Sequence, residues 1–323
     1  MRRPVVIVVL LVLLGVGAAL SITPDTDPAE MRAKYANEHS RFLKAPAGLE
    51  IHYRDEGPRD ASVILLLHGN SSSLHAFDPL VERLKGSFRL VRYDHPGHGL
   101  TGPNDSQSYE YADYAVAINA VVAELELESF CLVGHSMGGW MAWRYAVDDP
   151  ERVQRLALVS ASGMPLAVAP DDVDSGLGFK LGRSSVFRSI GKHYTPRSLV
   201  RDSASASVED QSLVTDAWVD RHYELLRMPG NREAFFARTI ANREPQLADT
   251  VAGISVPTLL LWGREDSFIP AASADAFAKR IPDTKTVILD GVGHMPFLEA
   301  PDRTAELIGG FCASDSVSAA LGP

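Results

Sequence analysis

A glycine-flanked serine lies where an apolar run meets an amphipathic one, in the stretch LVGHSMGGWMAWRYA. Ser136 has Gly134 two positions before it and Gly138 two positions after it. A serine hydroxyl is a weak nucleophile until an adjacent base takes its proton. A tight turn from strand to helix would expose this hydroxyl and point the backbone N–H of Met137 toward developing negative charge. The stretch alone is also compatible with a glycine-rich turn that does no chemistry.

A second backbone donor is predicted in the stretch LLLHGN, where an apolar run ends at His68, Gly69 and Asn70. Open α/β sheets bind ligands at the carboxyl ends of their strands, which is where this turn would lie. The turn can aim the backbone N–H of Asn70 at the same point as that of Met137. Two such donors would form an oxyanion hole. Taken alone, the segment is also compatible with an ordinary turn at the end of a strand.

A base and an orienting acid are predicted further along the chain. His294 follows the apolar run of ILDGVGHMPFLE, and Asp266 follows that of LLLWGREDSFIP. A carboxylate beyond the sheet edge can accept a hydrogen bond from imidazole Nδ1–H and fix the tautomer of the ring. Glu265, next to Asp266, is the competing acid. We assign His68 and His135 to packing and to support of the turns.

Composition excludes several other kinds of function. The chain has 323 residues, of which 46% are hydrophobic and 22% charged, and its formal net charge is -10. No basic stripe stands out, so we expect no nucleic-acid partner. Cys131 and Cys312 lack metal-ligand spacing, and the chemistry needs neither a metal nor an organic cofactor. The sequence leaves open whether these two cysteines form a disulfide.

The elements that must position these residues alternate between strand and helix from Ser40 onward. Such alternation implies βαβ units and a mostly parallel sheet covered by helices on both faces. Between Met164 and about Thr250 the strand signal disappears, and the segment is polar and helix-prone. It is too long for a loop within a compact domain. We therefore predict a helical cap inserted between two strands.

The four motifs follow one another in the order oxyanion turn, serine, aspartate, histidine, each at the end of a different predicted strand. In HGN, GHSMGG, WGREDSFIP and GVGHMPFLE the sequence resembles the α/β-hydrolase family, over about residues 40 to 312. The resemblance implies an eight-stranded, mostly parallel sheet flanked by helices, with an inserted helical cap. The stretch DHPGHG also resembles a loop of that family, and we interpret Asp94 there as structural.

The N-terminus is unlike the rest of the chain, because the run from Pro4 to Ile22 is apolar and uncharged and follows two arginines. A helix over this run would be about 28 Å long, close to the thickness of a bilayer's hydrocarbon core. We predict a membrane-anchored or exported protein, with the catalytic domain on the non-cytoplasmic side and membrane contact through residues 4–22 if they are not cleaved. The predicted units are an anchor or signal peptide (1–22), a linker (23–39), the α/β-hydrolase core (40–163 and 251–312), the cap (164–250) and a disordered tail (313–323).

The resemblance implies a triad of Ser136, His294 and Asp266 that works through an acyl-enzyme. Serine at the nucleophile position argues against epoxide and halide substrates, whose hydrolases in this family use aspartate. We predict a carboxylic ester hydrolase, similar to carboxylesterases and monoacylglycerol lipases, acting on a small-molecule ester with an apolar acyl group. A C–C bond hydrolase of ring-fission products and a lactonase remain alternatives, and a non-enzymatic scaffold would not need all three residues. Aromatic cap residues would line the substrate pocket or only pack the cap onto the core: Phe179, Trp218, Phe235 and Phe236.

Overall fold

Eight strands form one sheet in a computed structural model that describes residues 23–164, 189, 191–240 and 245–313. The strands are β1 (Ser40–Lys44), β2 (Glu50–Glu56), β3 (Val63–Leu67), β4 (Arg89–Tyr93), β5 (Phe130–His135), β6 (Val153–Val159), β7 (Thr258–Gly263) and β8 (Thr284–Leu289).

The sheet has the order β1-β2-β4-β3-β5-β6-β7-β8. Only β2 runs against its neighbours, pairing antiparallel with β1 and with β4. All remaining pairs are parallel, so β3 to β8 end at the same edge of the sheet. The predicted fold, an eight-stranded and mostly parallel sheet, is confirmed.

Helices cover both faces of this sheet. In the described residues they are α1 (Pro28–Tyr35), α2 (Asp78–Leu84), α3 (Tyr111–Glu124), α4 (Met137–Asp148), α5 (Arg197–Ala206), α6 (Asp216–Leu226), α7 (Asn231–Ile240), α8 (Ala272–Ala278), α9 (Pro296–Glu299) and α10 (Pro301–Cys312).

The alternation of side chains along β3 shows how the two faces are covered. Leu65 and Leu67 belong to a buried cluster with α3, α4 and α8, whereas Ile64 and Leu66 belong to another cluster with α2, α9 and α10. Successive side chains of a strand point to opposite faces, so a strand covered on both sides must be apolar throughout. This is why VILLL of β3 reads as one continuous apolar run.

A disulfide joins the central strand β5 to the last helix. Cys131 lies on β5 and Cys312 ends α10, and their Cα atoms are 5.6 Å apart. The sequence left this pairing open, because 181 residues separate the two cysteines. Only the path of α10 across the face of the sheet brings Cys312 to Cys131.

The segment between β6 and β7 is helical where it is described. We call residues 191–240, which include α5, α6 and α7, the cap segment. The predicted linker, residues 23–39, contains α1, whose Met31 is buried in a small cluster with Leu225 and Met228 of the cap segment. The boundaries given above for the linker, the core and the cap remain predictions. The predicted disordered tail lies, apart from Ala313, outside the described residues.

The predicted location of the protein requires a correction. Every helix within the part of the chain that the structure describes is too short or too polar to cross a lipid bilayer. The longest, α3, has 14 residues, whereas a span needs about 20 apolar ones. This finding contradicts the predicted membrane-anchored or exported location. The predicted anchor or signal peptide, residues 1–22, lies outside the described residues.

Candidate active site

Ser136 occupies a strained turn between β5 and α4. Its backbone has φ 53° and ψ -117°, a left-handed conformation that residues with a side chain rarely adopt. A Cβ on Gly138 would overlap the carbonyl oxygen of Leu67 on β3, and one on Gly134 would overlap that of Gly138. Glycine at these two positions therefore lets helix and strands meet closely enough to form the turn. The turn leaves Ser136 half-buried at the carboxyl edge of the sheet.

Met137 is the first residue of α4, so its backbone N–H has no acceptor within the helix. The N-terminus of a helix also carries a partial positive charge. Both features make this N–H suitable for stabilising an anion close to Ser136.

Asn70 lies in the turn after β3, and this turn packs against Ser136. A Cβ on Gly69 would stand 3.0 Å from the Cβ of Ser136. The side-chain Oδ1 of Asn70 accepts hydrogen bonds from the N–H of Ser71 at 3.0 Å and from Nε of Arg238 at 2.9 Å. Arg238 belongs to α7 and is buried, so the cap segment holds the side chain of Asn70.

Asp266 and His294 are hydrogen-bonded to each other, with 2.8 Å between Oδ2 and Nδ1. The other carboxylate oxygen of Asp266 accepts the N–H groups of Phe268 and Ile269, at 2.9 Å each. Both Asp266 and His294 are buried. Because Asp266 accepts through Oδ2, Nδ1 of His294 carries a proton, which leaves Nε2 as the basic nitrogen.

Glu265, the competing acid, faces the backbone of the neighbouring loop instead. Its Oε2 accepts the N–H of Val292 at 3.0 Å. Two adjacent carboxylates therefore have different partners, and it is Asp266 that contacts the imidazole of His294.

Two hydrogen bonds to the backbone of His294, one through its N–H and one through its carbonyl, hold the loop that carries it. Its N–H donates to the carbonyl of Ser207 in the cap segment at 2.9 Å, and its carbonyl accepts Nε2–H of His135 at 2.8 Å. Burial, followed by the nearby His294, keeps the pKa of His135 well below its usual value, so His135 is a neutral donor here. This supporting role agrees with the one we assigned to His135 from the sequence.

Glu299 is a residue that the sequence reasoning did not single out. Its Oε1 accepts the N–H groups of Gly293 and Met295, at 3.0 and 3.2 Å, on either side of His294. Its Oε2 accepts the N–H of Glu209 in the cap segment at 2.7 Å. Burial raises the pKa of this carboxyl group, although the backbone donors oppose that shift. In the sequence, this role is indicated only by the position of an acidic residue five places after His294, in the stretch GHMPFLE.

A second serine, histidine and aspartate form a hydrogen-bonded chain elsewhere at the same sheet edge. Nδ1 of His52 lies 2.8 Å from Oδ2 of Asp94, and its Nε2 lies 2.8 Å from Oγ of Ser40. The sequence reasoning did not find this group, because Ser40 and His52 stand in ordinary strand sequence.

The hydroxyl oxygen of Ser40 is engaged by hydrogen-bond donors, which a nucleophilic oxygen would not be. Its oxygen accepts the N–H of Asn37 at 3.1 Å and Nε–H of Arg54 at 3.2 Å, which occupies both lone pairs. Asp94 also accepts the N–H groups of Leu74 and Leu100. Burial alone would raise the pKa of Asp94, but the surrounding histidines, His52 first, lower it below its usual value. The group holds the loops together, in line with the structural interpretation of Asp94.

The aromatic residues predicted to line a pocket have separate surroundings. Trp218 of α6 is partly buried and packs against the sheet-face cluster that contains Phe297. Phe235 and Phe236 of α7 contact each other, with ring centroids 5.1 Å apart. Phe179 lies outside the described residues. The assignment of these four residues to a substrate pocket remains a prediction.

No group of three or more histidine, cysteine, aspartate or glutamate side chains could hold a metal ion among the described residues. The histidine-rich loops after β3 and β4 do not form such a group. Their rings instead contact one another, as the tilted rings of His68 and His95 do at 4.1 Å between centroids.

Comparisons with known proteins agree with this architecture. A family model described as alpha/beta hydrolase fold matches residues 62–301. A pimeloyl-[acyl-carrier protein] methyl ester esterase of Nitrosomonas europaea is 29% identical over 259 residues, which cover 80% of this chain and 96% of that protein. A 2-hydroxymuconate semialdehyde hydrolase of Pseudomonas sp. is 28% identical over 285 residues, covering 84% and 94%. A solved meta-cleavage product hydrolase from Pseudomonas fluorescens matches the fold with a TM-score of 0.71 at 24% identity, covering 84% of this chain and 96% of that one.

Proposed function

This chain belongs to the α/β-hydrolase fold family and is a hydrolase, and we propose that it cleaves carboxylic esters with Ser136 as the nucleophile. The observation that carries the proposal is the hydrogen bond between Asp266 and His294, on loops at the same edge of the sheet as the strained turn of Ser136. An aspartate bound to Nδ1 fixes the histidine tautomer that can act as a base through Nε2.

In the proposed reaction, Nε2 of His294 takes the hydroxyl proton while Oγ of Ser136 attacks the ester carbonyl. The carbonyl oxygen becomes an oxyanion, which the backbone N–H groups of Met137 and Asn70 stabilise. His294 then gives its proton to the departing alcohol, leaving an acyl group on Ser136. Water activated by His294 releases the acid and restores the serine. Asp266 accepts Nδ1–H of His294 and stabilises the imidazolium in both halves of the reaction.

Cleavage of a C–C bond is the second candidate, and similarity to the 2-hydroxymuconate semialdehyde hydrolase favours it. The same three residues would serve, so the site alone does not separate the two reactions. We favour the ester because a pimeloyl methyl ester esterase matches at a comparable identity and nothing beyond the triad and oxyanion donors is needed.

Turnover of p-nitrophenyl butanoate by the purified full-length protein tests the ester proposal. We expect hydrolysis by the unaltered protein and a loss of at least about 10³-fold in kcat for Ser136→Ala. Ser40→Ala is the matched control and should retain the activity, because the Ser40 hydroxyl has both lone pairs engaged. No turnover of any short- or medium-chain ester, together with cleavage of a ring-fission dienone, would replace the ester proposal by the C–C one.

A further inference from the structure

A small cavity lies between the cap segment and the loops that follow β3 and β4. Its volume is about 20 Å³, which is room for one or two water-sized groups. Residues from both sides line it, among them Ser71, Ser72, His98, Asn231 and Arg238. Ser71 directly follows Asn70, the proposed oxyanion donor, so one wall of the cavity is continuous in the chain with the proposed oxyanion site.

Four buried polar atoms on these lining residues have no hydrogen-bond partner among the described residues. They are Oγ of Ser71, Oγ of Ser72, Nε2 of His98 and Oδ1 of Asn231. Buried polar atoms in native proteins nearly always bind something, because leaving one unpaired costs about 1–3 kcal/mol. Four of them around one cavity therefore indicate that a polar group occupies it.

The hydrogen bonds of His98 determine which kind of group it can bind. Its Nδ1 lies 3.1 Å from the carbonyl oxygen of Pro96, which only accepts, so Nδ1 must carry the proton. Burial, followed by the charge of Arg238, holds the pKa of His98 well below its usual value, and the ring is neutral. Nε2 of His98 is therefore an acceptor that needs a donor.

Asn231 presents a second acceptor. Its amide nitrogen donates to the carbonyl oxygens of Gly99 at 3.1 Å and Leu225 at 2.8 Å, which uses both N–H groups and fixes the orientation of the amide. Only Oδ1 remains, and it too requires a donor. The hydroxyls of Ser71 and Ser72 can donate or accept.

A carboxylate does not match this set, because it has no proton to offer to His98 or Asn231. The guanidinium of Arg238 would attract an anion, but its Nε and Nη1 already donate to Asn70 and to the carbonyl of Gly97. An alcohol hydroxyl donates one hydrogen bond and accepts others, so it can donate to one of the two acceptors while it accepts from a serine hydroxyl, and the other serine hydroxyl remains free to donate to the second acceptor.

We propose that this cavity binds a free hydroxymethyl group of the substrate, so that the preferred esters carry hydroxyls close to the ester bond. The inference rests on the proposed ester hydrolysis and names the class of substrate. Such hydroxyls belong either to a polyol alcohol, as in a glyceryl ester, or to a hydroxylated acyl group. The cavity's size suits the two heavy atoms of a hydroxymethyl group.

Paired esters that differ only in hydroxyls test the proposal. The purified protein is given glyceryl butanoate and propyl butanoate, and separately methyl 3,4-dihydroxybutanoate and methyl butanoate. We expect kcat/KM to favour the hydroxylated member of one pair by at least about tenfold, the effect of one or two hydrogen bonds. The pair that shows the preference tells whether the hydroxyl that binds in the cavity belongs to the alcohol part or to the acyl part of the ester.

A double substitution, Ser71→Ala with Ser72→Ala, should reduce this ratio to below about threefold. Ser87→Ala, an exposed serine at the opposite edge of the sheet, should leave the ratio at its original value. Equal kcat/KM within both pairs for the unaltered protein would overturn the inference and identify the cavity as a water site only. Preference for a hemisuccinate over the hydroxylated esters would overturn it in favour of an anion site. Failure to hydrolyse any of the four esters would contradict the proposed function instead.

Discussion

Ser40 and Ser136 differ in the surroundings of the hydroxyl, although both lie at the sheet edge where a histidine is hydrogen-bonded to an aspartate. Ser40 receives N–H donors from Asn37 and Arg54, which leaves its oxygen no lone pair for attack. Ser136 lies in a strained turn directly before the N-terminus of α4, where the next N–H has no partner within the helix. A hydrogen-bonded serine, histidine and aspartate is thus insufficient to identify a nucleophile.

The two neighbouring acids should behave differently on substitution. Asp266→Asn should lower kcat for p-nitrophenyl butanoate by about 10⁴-fold, because an amide cannot hold the required tautomer of His294. Glu265→Gln is the matched control and should keep most of the activity, since Glu265 contacts the N–H of Val292. Steady-state kinetics of both variants make the comparison, and a larger loss in Glu265→Gln would refute the assignment.

The sequence predicts Asp266 as the orienting acid and leaves the adjacent Glu265 as its competitor. Asp266 and Glu265 have the same chemistry and adjacent positions, so only the path of the backbone decides which carboxylate reaches Nδ1 of His294. Glu299 is harder to find, because its role depends on a helix that turns its side chain back onto the loop of His294. Ser40 and His52 meet only through strand pairing of β1 and β2.

At the scale of elements, the closeness of α4 to β3 is what forms the serine turn. Gly138→Ala should lower the free energy of unfolding by more than about 3 kcal/mol, because its Cβ would overlap the backbone of Leu67 and no flexible side chain can yield. Gly310→Ala in α10 is the control, since an added Cβ there meets nothing within 4 Å. It should stabilise the protein by at most about 1 kcal/mol. Urea unfolding of both variants measures the difference, and equal midpoints would contradict it.

The loop of His294 depends in the same way on the short helix α9, through Glu299. Glu299→Gln places an N–H₂ group against backbone donors that the carboxylate accepts, so the loop should shift. We expect kcat to fall about 10- to 100-fold with little change in the melting temperature, because small misplacements of catalytic groups are costly. Glu306→Gln, on the exposed side of α10, should change neither quantity. A fall in melting temperature with an unchanged kcat would show a purely structural role.

The elements themselves are largely predictable from the sequence. Runs such as VILLL and FCLVGH are apolar throughout, as parallel strands covered on both faces must be. The antiparallel course of β2 and the insertion of β4 between β2 and β3 do not follow from such runs, since the strand order depends on contacts between distant segments.

For the whole molecule, buried neutral histidines predict that acid destabilises the fold. Burial lowers the pKa of His68 to about 4 and that of His75 to about 3. Below their usual pKa near 6.5 the unfolded chain binds protons that the folded chain does not. The free energy of unfolding should therefore fall as pH drops from about 6.5 to about 4, by up to about 1.4 kcal/mol per pH unit for each histidine.

Urea unfolding at a series of pH values measures this dependence. His75→Asn should make the slope between pH 6.5 and 4 shallower, because one of the buried histidines is then gone. A free energy of unfolding that stays constant across that range would contradict the interpretation.

At the same scale the sequence is least informative about long-range contacts and location. It could not pair Cys131 with Cys312, because the pairing depends on where α10 crosses the sheet. Its apolar N-terminal run led to a predicted location that the described helices contradict. It did predict that a helical segment separates β6 from β7, because the strand signal vanishes over many residues.

Covalent labelling with a fluorophosphonate tests the central claim, that Ser136 is the nucleophile, most directly. The reagent forms a stable adduct with an activated serine, and mass spectrometry of the digested protein locates it. We predict one adduct per chain, on the peptide that contains Ser136, which disappears in Ser136→Ala and persists in Ser40→Ala. An adduct on the peptide that contains Ser40, or undiminished labelling of Ser136→Ala, would contradict the account.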